Sequence, residues 1–153
     1  MDLILWRHAE AFEIREAQTD LERTLTPKGE RQAQRMAAWL NRQLPSSARV
    51  LVSPARRTQQ TAQALERKFK TVEALAPDGT VDGLLHATRW PESREPVLVV
   101  GHQPTLGLAA SYLASGQPQA WPVKKGAVWW LRAREREGQV QVVLHAVIGA
   151  DLL

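Results

Sequence analysis

Apolar residues fall along this chain in two alternating rhythms. Continuous runs, "LILW" at 3–6, "VLV" at 50–52 and "VLVV" at 97–100, have the composition of strands buried on both faces. Between them, apolar residues recur every third or fourth position. In "TPKGERQAQRMAAWLNRQL", Ala33, Met36, Ala37, Leu40 and Leu44 form one stripe, Thr26 is placed to cap and Pro27 to open the first turn, so a helix is predicted. After "RVLVS" at 49–53, Ser53 reads as the cap and Pro54 as the first turn of a helix reaching about Phe69, with Thr58, Ala62, Leu65 and Phe69 inward. A short strand near "TVEAL" and a loop "APDGT" lead to a weaker helical segment around 80–90. "PVLVVG" at 96–101 predicts a buried strand, and "PTLGLAASYLA" a helix with Leu106, Ala109, Ala110 and Leu113 inward. "AVWWLRA" and "QVQVVLHAV", flanking "EREGQ", predict an antiparallel hairpin whose turn type stays open.

Strands that alternate with helices predict an α/β protein: a three-layer α/β/α sandwich with a mixed, mostly parallel sheet. With 153 residues and no repeat or linker, one domain spanning 1–153 is expected. Adjacent tryptophans 129 and 130 on a strand must point to opposite faces.

Composition narrows the chemistry. The chain is 44% hydrophobic and 24% charged, in the range of globular proteins. No apolar run approaches the ~20 residues that cross a bilayer, and "MDLILW" lacks the basic start of a signal peptide, so a cytoplasmic protein without a membrane partner is expected. The absence of cysteine removes disulfides, thiolate nucleophiles and thiolate metal sites. A net charge of +4, carried mostly by arginine, favours an anionic substrate. It does not argue for nucleic acid, since there is no Lys/Arg block, zinc-finger spacing or RNA-recognition signature.

Three of the β runs end in polar residues: "RH" at 7–8, "SPARRTQQT" at 53–61 and "GH" at 101–102. Ligands bind beyond the carboxyl ends of parallel strands, so Arg7, His8, Arg56 or Arg57, and His102 are expected to converge. Guanidinium forks suit phosphate oxygens, and the first turns after Ser53 or Gln103 would add backbone N–H donors. Histidine can attack phosphorus at neutral pH without a base beside it, given its ordinary pKa of about 6.5. Flanking arginines would repel a cation, so no metal and no cofactor are expected. His86 and His145 read as structural or surface residues.

"LWRHAEA", "LTPKGERQA", "LVSPARRTQQTA" and "VVGHQPTLG", spread over 5–107, together resemble the histidine phosphatase superfamily, and the "RHAEA" and "LTPKG" segments resemble its SixA-type phosphohistidine phosphatase branch. The resemblance implies a phosphoglycerate mutase-like fold, His8 as nucleophile, and Arg7, Arg57 and His102 as phosphoryl-binding groups. It favours Arg57 over Arg56, since Arg57 lies between Ser53 and Thr61 at the family's spacing. Larger members place an acid in an insertion after the second motif; here that region is short, with Asp78, Asp82, Glu92 and Glu95 as loose candidates. An imidazole leaves more easily than an alkoxide, so the short insertion favours a phosphorylated protein, such as a histidine-containing phosphotransfer domain, over a small phosphorylated substrate. The alternatives are a small-molecule phosphomonoesterase and a non-catalytic phosphoanion-binding module. In the loop 8–25, Glu10 is expected to orient His8 or its neighbours, and Arg23 to reach the substrate rim or pair with Asp20; a solvated charged loop is the other reading. A monomer is expected.

Overall fold

A computed structural model describes residues 1–153, and its centre is a six-stranded sheet. The strands are β1 (Asp2–Arg7), β2 (Arg49–Val52), β3 (Lys70–Thr71), β4 (Val97–Gly101), β5 (Val128–Arg136) and β6 (Gln139–Ile148), in the order β3-β2-β4-β1-β5-β6. The pairings β3–β2, β2–β4 and β4–β1 are parallel, whereas β1–β5 and β5–β6 are antiparallel. The sheet is therefore mixed, and its parallel half is the half that carries the motifs.

Helices cover both faces, which is why β1 and β4 are apolar at every central position rather than alternating. One face packs α1 (Pro27–Gln43) and α2 (Arg56–Gln63) through Met36, Ala37, Leu40 and Ala62 against Ile4, Val52, Leu98 and Trp130. The other packs α3 (Val81–Thr88) and α4 (Thr105–Ser115) through Leu84, Leu106, Ala109 and Ala110 against Leu3, Leu5, Leu51 and Val99. Trp130 enters the first core and Trp129 packs on the second, as period-2 alternation requires. No helix is long and apolar enough to cross a membrane.

Helix α1 begins as its sequence dictates, with the Thr26 hydroxyl accepting from the Gly29 N–H at 3.0 Å and Pro27 in the first turn. Gly29 has a further reason to be glycine. A Cβ there would lie 1.9 Å from the Glu10 carbonyl oxygen, so the chain leaving His8 crosses the first turn of α1 at backbone contact distance. The hairpin turns through Glu137 and Gly138, both at positive φ, as a type I′ turn does.

Three local expectations are corrected. The second helix does not run from Pro54 to Phe69 but ends at Gln63. Leu65 and Glu66 N–H groups bond three residues back, Glu66 takes φ 54°, and Arg67 swings over to donate to the Leu44 and Pro45 carbonyls at the end of α1. Holding the Arg67 guanidinium on those carbonyls competes with continuing the helix. Ser53 is not its cap, since Ala55 holds that position and the Ser53 hydroxyl is used elsewhere. The strand near "TVEAL" shrinks to Lys70–Thr71, and Glu73–Leu75 form a 3-10 turn.

Candidate active site

The register of the parallel strands builds the site. Arg7 pairs with Gly101 and Val52 with Val100, so β1, β2 and β4 end nearly level, and the next residues, His8, Ser53 and His102, emerge side by side. The His8 N–H continues the ladder to the Gly101 carbonyl at 3.1 Å and the Ser53 N–H to the Val100 carbonyl at 3.1 Å. The two imidazole centroids are 5.4 Å apart. Both rings are nearly sealed from solvent, at 5% and 3% exposure, which places them at the floor of the crevice.

The His8 ring is oriented by the backbone. Its Nδ1 lies 2.7 Å from the Ala9 carbonyl, which can only accept, so Nδ1 carries the proton and Nε2 keeps its lone pair. The backbone there is fixed in turn: the Ala9 N–H donates to the Thr61 hydroxyl at 3.1 Å, and that hydroxyl donates to the Arg57 carbonyl at 2.7 Å. His102 is held through both nitrogens, with Nε2 2.7 Å from the Ser53 hydroxyl and Nδ1 3.4 Å from Arg57 Nη2. A guanidinium only donates, so His102 carries its proton on Nε2 and gives it to Ser53.

Arg57 is 4% exposed, whereas Arg56 faces solvent from the same helix. Arg7 projects from the end of β1 and is tied through Nη1 to the Val123 carbonyl at 3.0 Å. The Nε–H groups of both Arg7 and Arg57 are buried and donate to no protein atom. Burial and the neighbouring Arg57 charge lower the pKa of Arg7. Arg7 has no carboxylate partner, and both guanidiniums, although Asp20 pairs with Arg57, keep a spare buried donor that an oxyanion would satisfy.

The same environment keeps the imidazoles neutral. Burial first, and then the charges of Arg57, Arg7 and Arg23, push the His8 pKa down to about 3 against the opposing pull of the Ala9 carbonyl. Burial and the Arg57 charge likewise push His102 down to about 3. His102 is thus held neutral by the protein's own groups. A bound dianion would offset the surrounding positive charge.

The remaining candidates separate. Arg23 pairs with Asp20 at 3.2 Å and donates through Nε to the Phe12 carbonyl at 2.7 Å, one of the two contacts expected for it. Glu10 does not hold His8: its carboxylate accepts from the Thr26 hydroxyl at 2.7 Å, its N–H donates to Gln32, and it pins the loop to α1 instead. Asp78, Asp82, Glu92 and Glu95 form no side-chain hydrogen bond to the four central residues. Of the backbone donors expected after Gln103, Leu106 N–H is engaged by the His102 carbonyl and Gly107 N–H by the Gln103 side chain; after Ser53 the Ala55 N–H donates to its hydroxyl, while the Arg56, Arg57 and Thr58 N–H groups that open α2 donate to no other backbone group. His86 is exposed on α3, and His145 packs edge-on against Trp130.

Sequence reasoning passed over Asp20 as more than a partner of Arg23. Its carbonyl accepts from Arg57 Nη1 at 2.7 Å and its carboxylate from Nη2 at 3.0 Å, which ties the loop to the pocket. The spacing of Asp20 and Arg23 by three residues, in a loop directly after the Arg-His pair, was the available signal.

Level strand ends, paired imidazoles and paired guanidiniums define a phosphoryl-handling site on an α/β/α scaffold. Residues 3–78 match the model of the histidine phosphatase superfamily (branch 1), and the chain belongs to this superfamily. It is 32% identical over 126 residues to the phosphohistidine phosphatase SixA of Escherichia coli, covering 76% of each chain. A solved structure of the protein histidine phosphatase SixA complexed with tungstate superposes with a TM-score of 0.76 at 25% identity over 99% of both chains. A phosphoserine phosphatase from Entamoeba histolytica shares the fold, with a TM-score of 0.71 at 16% identity over 99% of this chain and 98% of that one. The chain is a phosphatase of the histidine phosphatase type, a hydrolase of phosphoryl groups, similar to SixA.

Proposed function

We propose that this chain removes the phosphoryl group from a phosphorylated histidine on a protein, with His8 as nucleophile and Arg7, Arg57 and His102 as the groups that hold the transferring phosphoryl. The observation that carries this reading is the His8 ring, whose Nδ1 is bonded to the Ala9 carbonyl and whose burial beside two guanidiniums leaves it neutral. An imidazole in that state is a nucleophile without a separate base.

His8 Nε2 attacks phosphorus in line as the P–N bond to the substrate imidazole breaks. That ring, protonated on its other nitrogen, keeps the electron pair and leaves as a neutral imidazole. The unpaired N–H donors of Arg7 and Arg57 bond the equatorial oxygens, where charge is spread in a loose transition state. As the dianion arrives, His102 gains a reason to be protonated, and Ser53 and Arg57 hold its ring in place. Water then attacks phospho-His8, the P–N bond to His8 breaks, and phosphate leaves. The net reaction consumes one water and returns both imidazoles.

The choice of leaving group rests on the acids present. Asp20 is the one carboxylate bonded to a central residue. Partial burial would raise its pKa, yet the Arg57 and Arg23 guanidiniums hold it below the usual carboxylate value. A carboxylate kept ionised cannot protonate an alkoxide. A phosphorylated imidazole that carries a proton on its other nitrogen departs as a neutral ring, whose conjugate acid has a pKa of about 6.5, and needs no such acid. The test is a rate comparison between a phosphorylated histidine-containing phosphotransfer domain and a panel of sugar, nucleotide and lipid phosphates. The proposal expects kcat/KM to be higher for the carrier domain; a preference for the esters overturns it.

A further inference from the structure

Between Ala11 and Leu25, which close an antiparallel bridge, the chain forms a flap over the mouth of the pocket. The flap is held by specific bonds: Phe12 N–H to the Thr24 carbonyl at 2.8 Å, Arg23 to the Phe12 carbonyl and to Asp20, and Arg57 to Asp20. It is therefore part of the rim. Yet it exposes three large apolar side chains, Phe12 at 37%, Ile14 at 55% and Leu21 at 47%. Scattered exposed apolar residues are ordinary, but three within ten residues of a segment bonded to Arg57 mark a surface that meets something.

Two neighbouring features define what it meets. Leu21 and Glu22 form one wall of an open cleft of about 510 Å³ whose other wall is Pro54, Arg56, Gln59, Gln60 and Gln63, along the start of α2. Three neutral amides, a single guanidinium and the Glu22 carboxylate offer little to a second phosphate or a carboxylate, which would call for several cations. They suit the mixed polar groups of a folded protein surface. On the other side, the Arg15 guanidinium lies 4.7 Å from the centre of the Phe12 ring, a contact that steadies an exposed aromatic for docking. The depth of the site adds a constraint. His8 and His102 lie nearly sealed at the floor, so the phosphoryl must be delivered on a side chain while its bearer stays on the rim.

We infer that Phe12, Ile14 and Leu21, with the α2 cleft, form the docking surface for the protein that carries the phosphohistidine. This rests on the substrate class proposed above and adds to it the surface that recognises the bearer. The flap residues act on the encounter and not on the chemistry, so their loss raises KM for a protein substrate and leaves a small one unaffected.

The test uses the full chain and two substrates with the same scissile P–N bond: a histidine-containing phosphotransfer domain phosphorylated with phosphoramidate and desalted, and free phosphohistidine. In the triple variant Phe12→Ser, Ile14→Ser, Leu21→Ser, kcat/KM for the carrier domain is expected to fall at least about tenfold, mainly through KM, and that for free phosphohistidine to stay within about twofold. If the triple variant does not fold, Leu21→Lys alone is expected to give the same split. An equal loss on both substrates, or no loss on either, overturns the docking surface while leaving the substrate class intact. A wild-type protein that hydrolyses free phosphohistidine and not the carrier domain overturns the docking surface and the protein-substrate reading together.

Discussion

Two imidazoles held neutral in a buried cationic pocket make the folded protein sensitive to mild acid. In the unfolded chain each titrates near its ordinary pKa of about 6.5, whereas in the folded site His8 and His102 sit at about 3. Between these values the unfolded state binds more protons than the folded one, so stability falls as the pH falls through the window from about 6.5 to about 3. From pH 7 to pH 5, each neutral imidazole costs about 2 kcal/mol, and the pair about 4 kcal/mol. That is a large part of the ~5–15 kcal/mol typical of a domain. The assay is urea unfolding at pH 7 and pH 5, comparing wild type with His102→Gln and with His8→Gln. Each variant removes one titrating ring, so each is expected to lose about 2 kcal/mol less over the interval than wild type, whatever its stability at pH 7. Carboxylates contribute equally to all three proteins and cancel in the comparison. Saturating inorganic phosphate is expected to shrink the wild-type loss, since a bound anion favours the protonated rings. Parallel pH dependences in wild type and both variants would refute the account of the pocket's electrostatics.

Other perturbations separate neighbouring roles. Arg57→Ala is expected to lower kcat/KM on any phosphoryl substrate by about a hundredfold or more, and Arg56→Ala by no more than about twofold on free phosphohistidine, because only the former reaches the pocket; steady-state rates decide it. Asp20→Asn keeps the carbonyl contact to Arg57 but removes the charge that holds both guanidiniums, and is expected to reduce kcat/KM about tenfold while shifting stability by no more than about 1 kcal/mol, since Asp20 is half exposed. Gly29→Ala places a methyl group against the Glu10 carbonyl and is expected to lower stability by more than about 2 kcal/mol, read as a drop in the melting temperature.

The layered fold was legible because the parallel strands β1, β2 and β4 are covered on both faces and leave unbroken apolar runs, while α1 carries a one-sided stripe with a cap in front. The convergence of Arg7, His8, Arg57 and His102 followed from where those runs stop, since level strand ends juxtapose residues distant in sequence. What escaped has a common physical cause. The end of α2 is decided by Arg67 reaching the last carbonyls of another helix, a tertiary bond with no local signature. Ser53 looked like a cap because serine before proline fits that pattern, yet a histidine 49 residues away claims its hydroxyl. Glu10 was assigned to His8 by adjacency, but the loop turns its carboxylate toward Thr26. Asp20 belongs to a loop without periodicity, where its bond to Arg57 could be seen only in three dimensions.

The central claim is that His8 becomes phosphorylated during turnover. Mixing the protein with a carrier domain bearing radiolabelled phosphohistidine, quenching in alkali within milliseconds and mapping the label by peptide mass spectrometry tests it directly. The account predicts label on His8, stable in alkali and lost in acid, and absent from His8→Gln, which also fails to turn over. Undiminished turnover in His8→Gln, or label on any other residue of the wild-type chain, would contradict it.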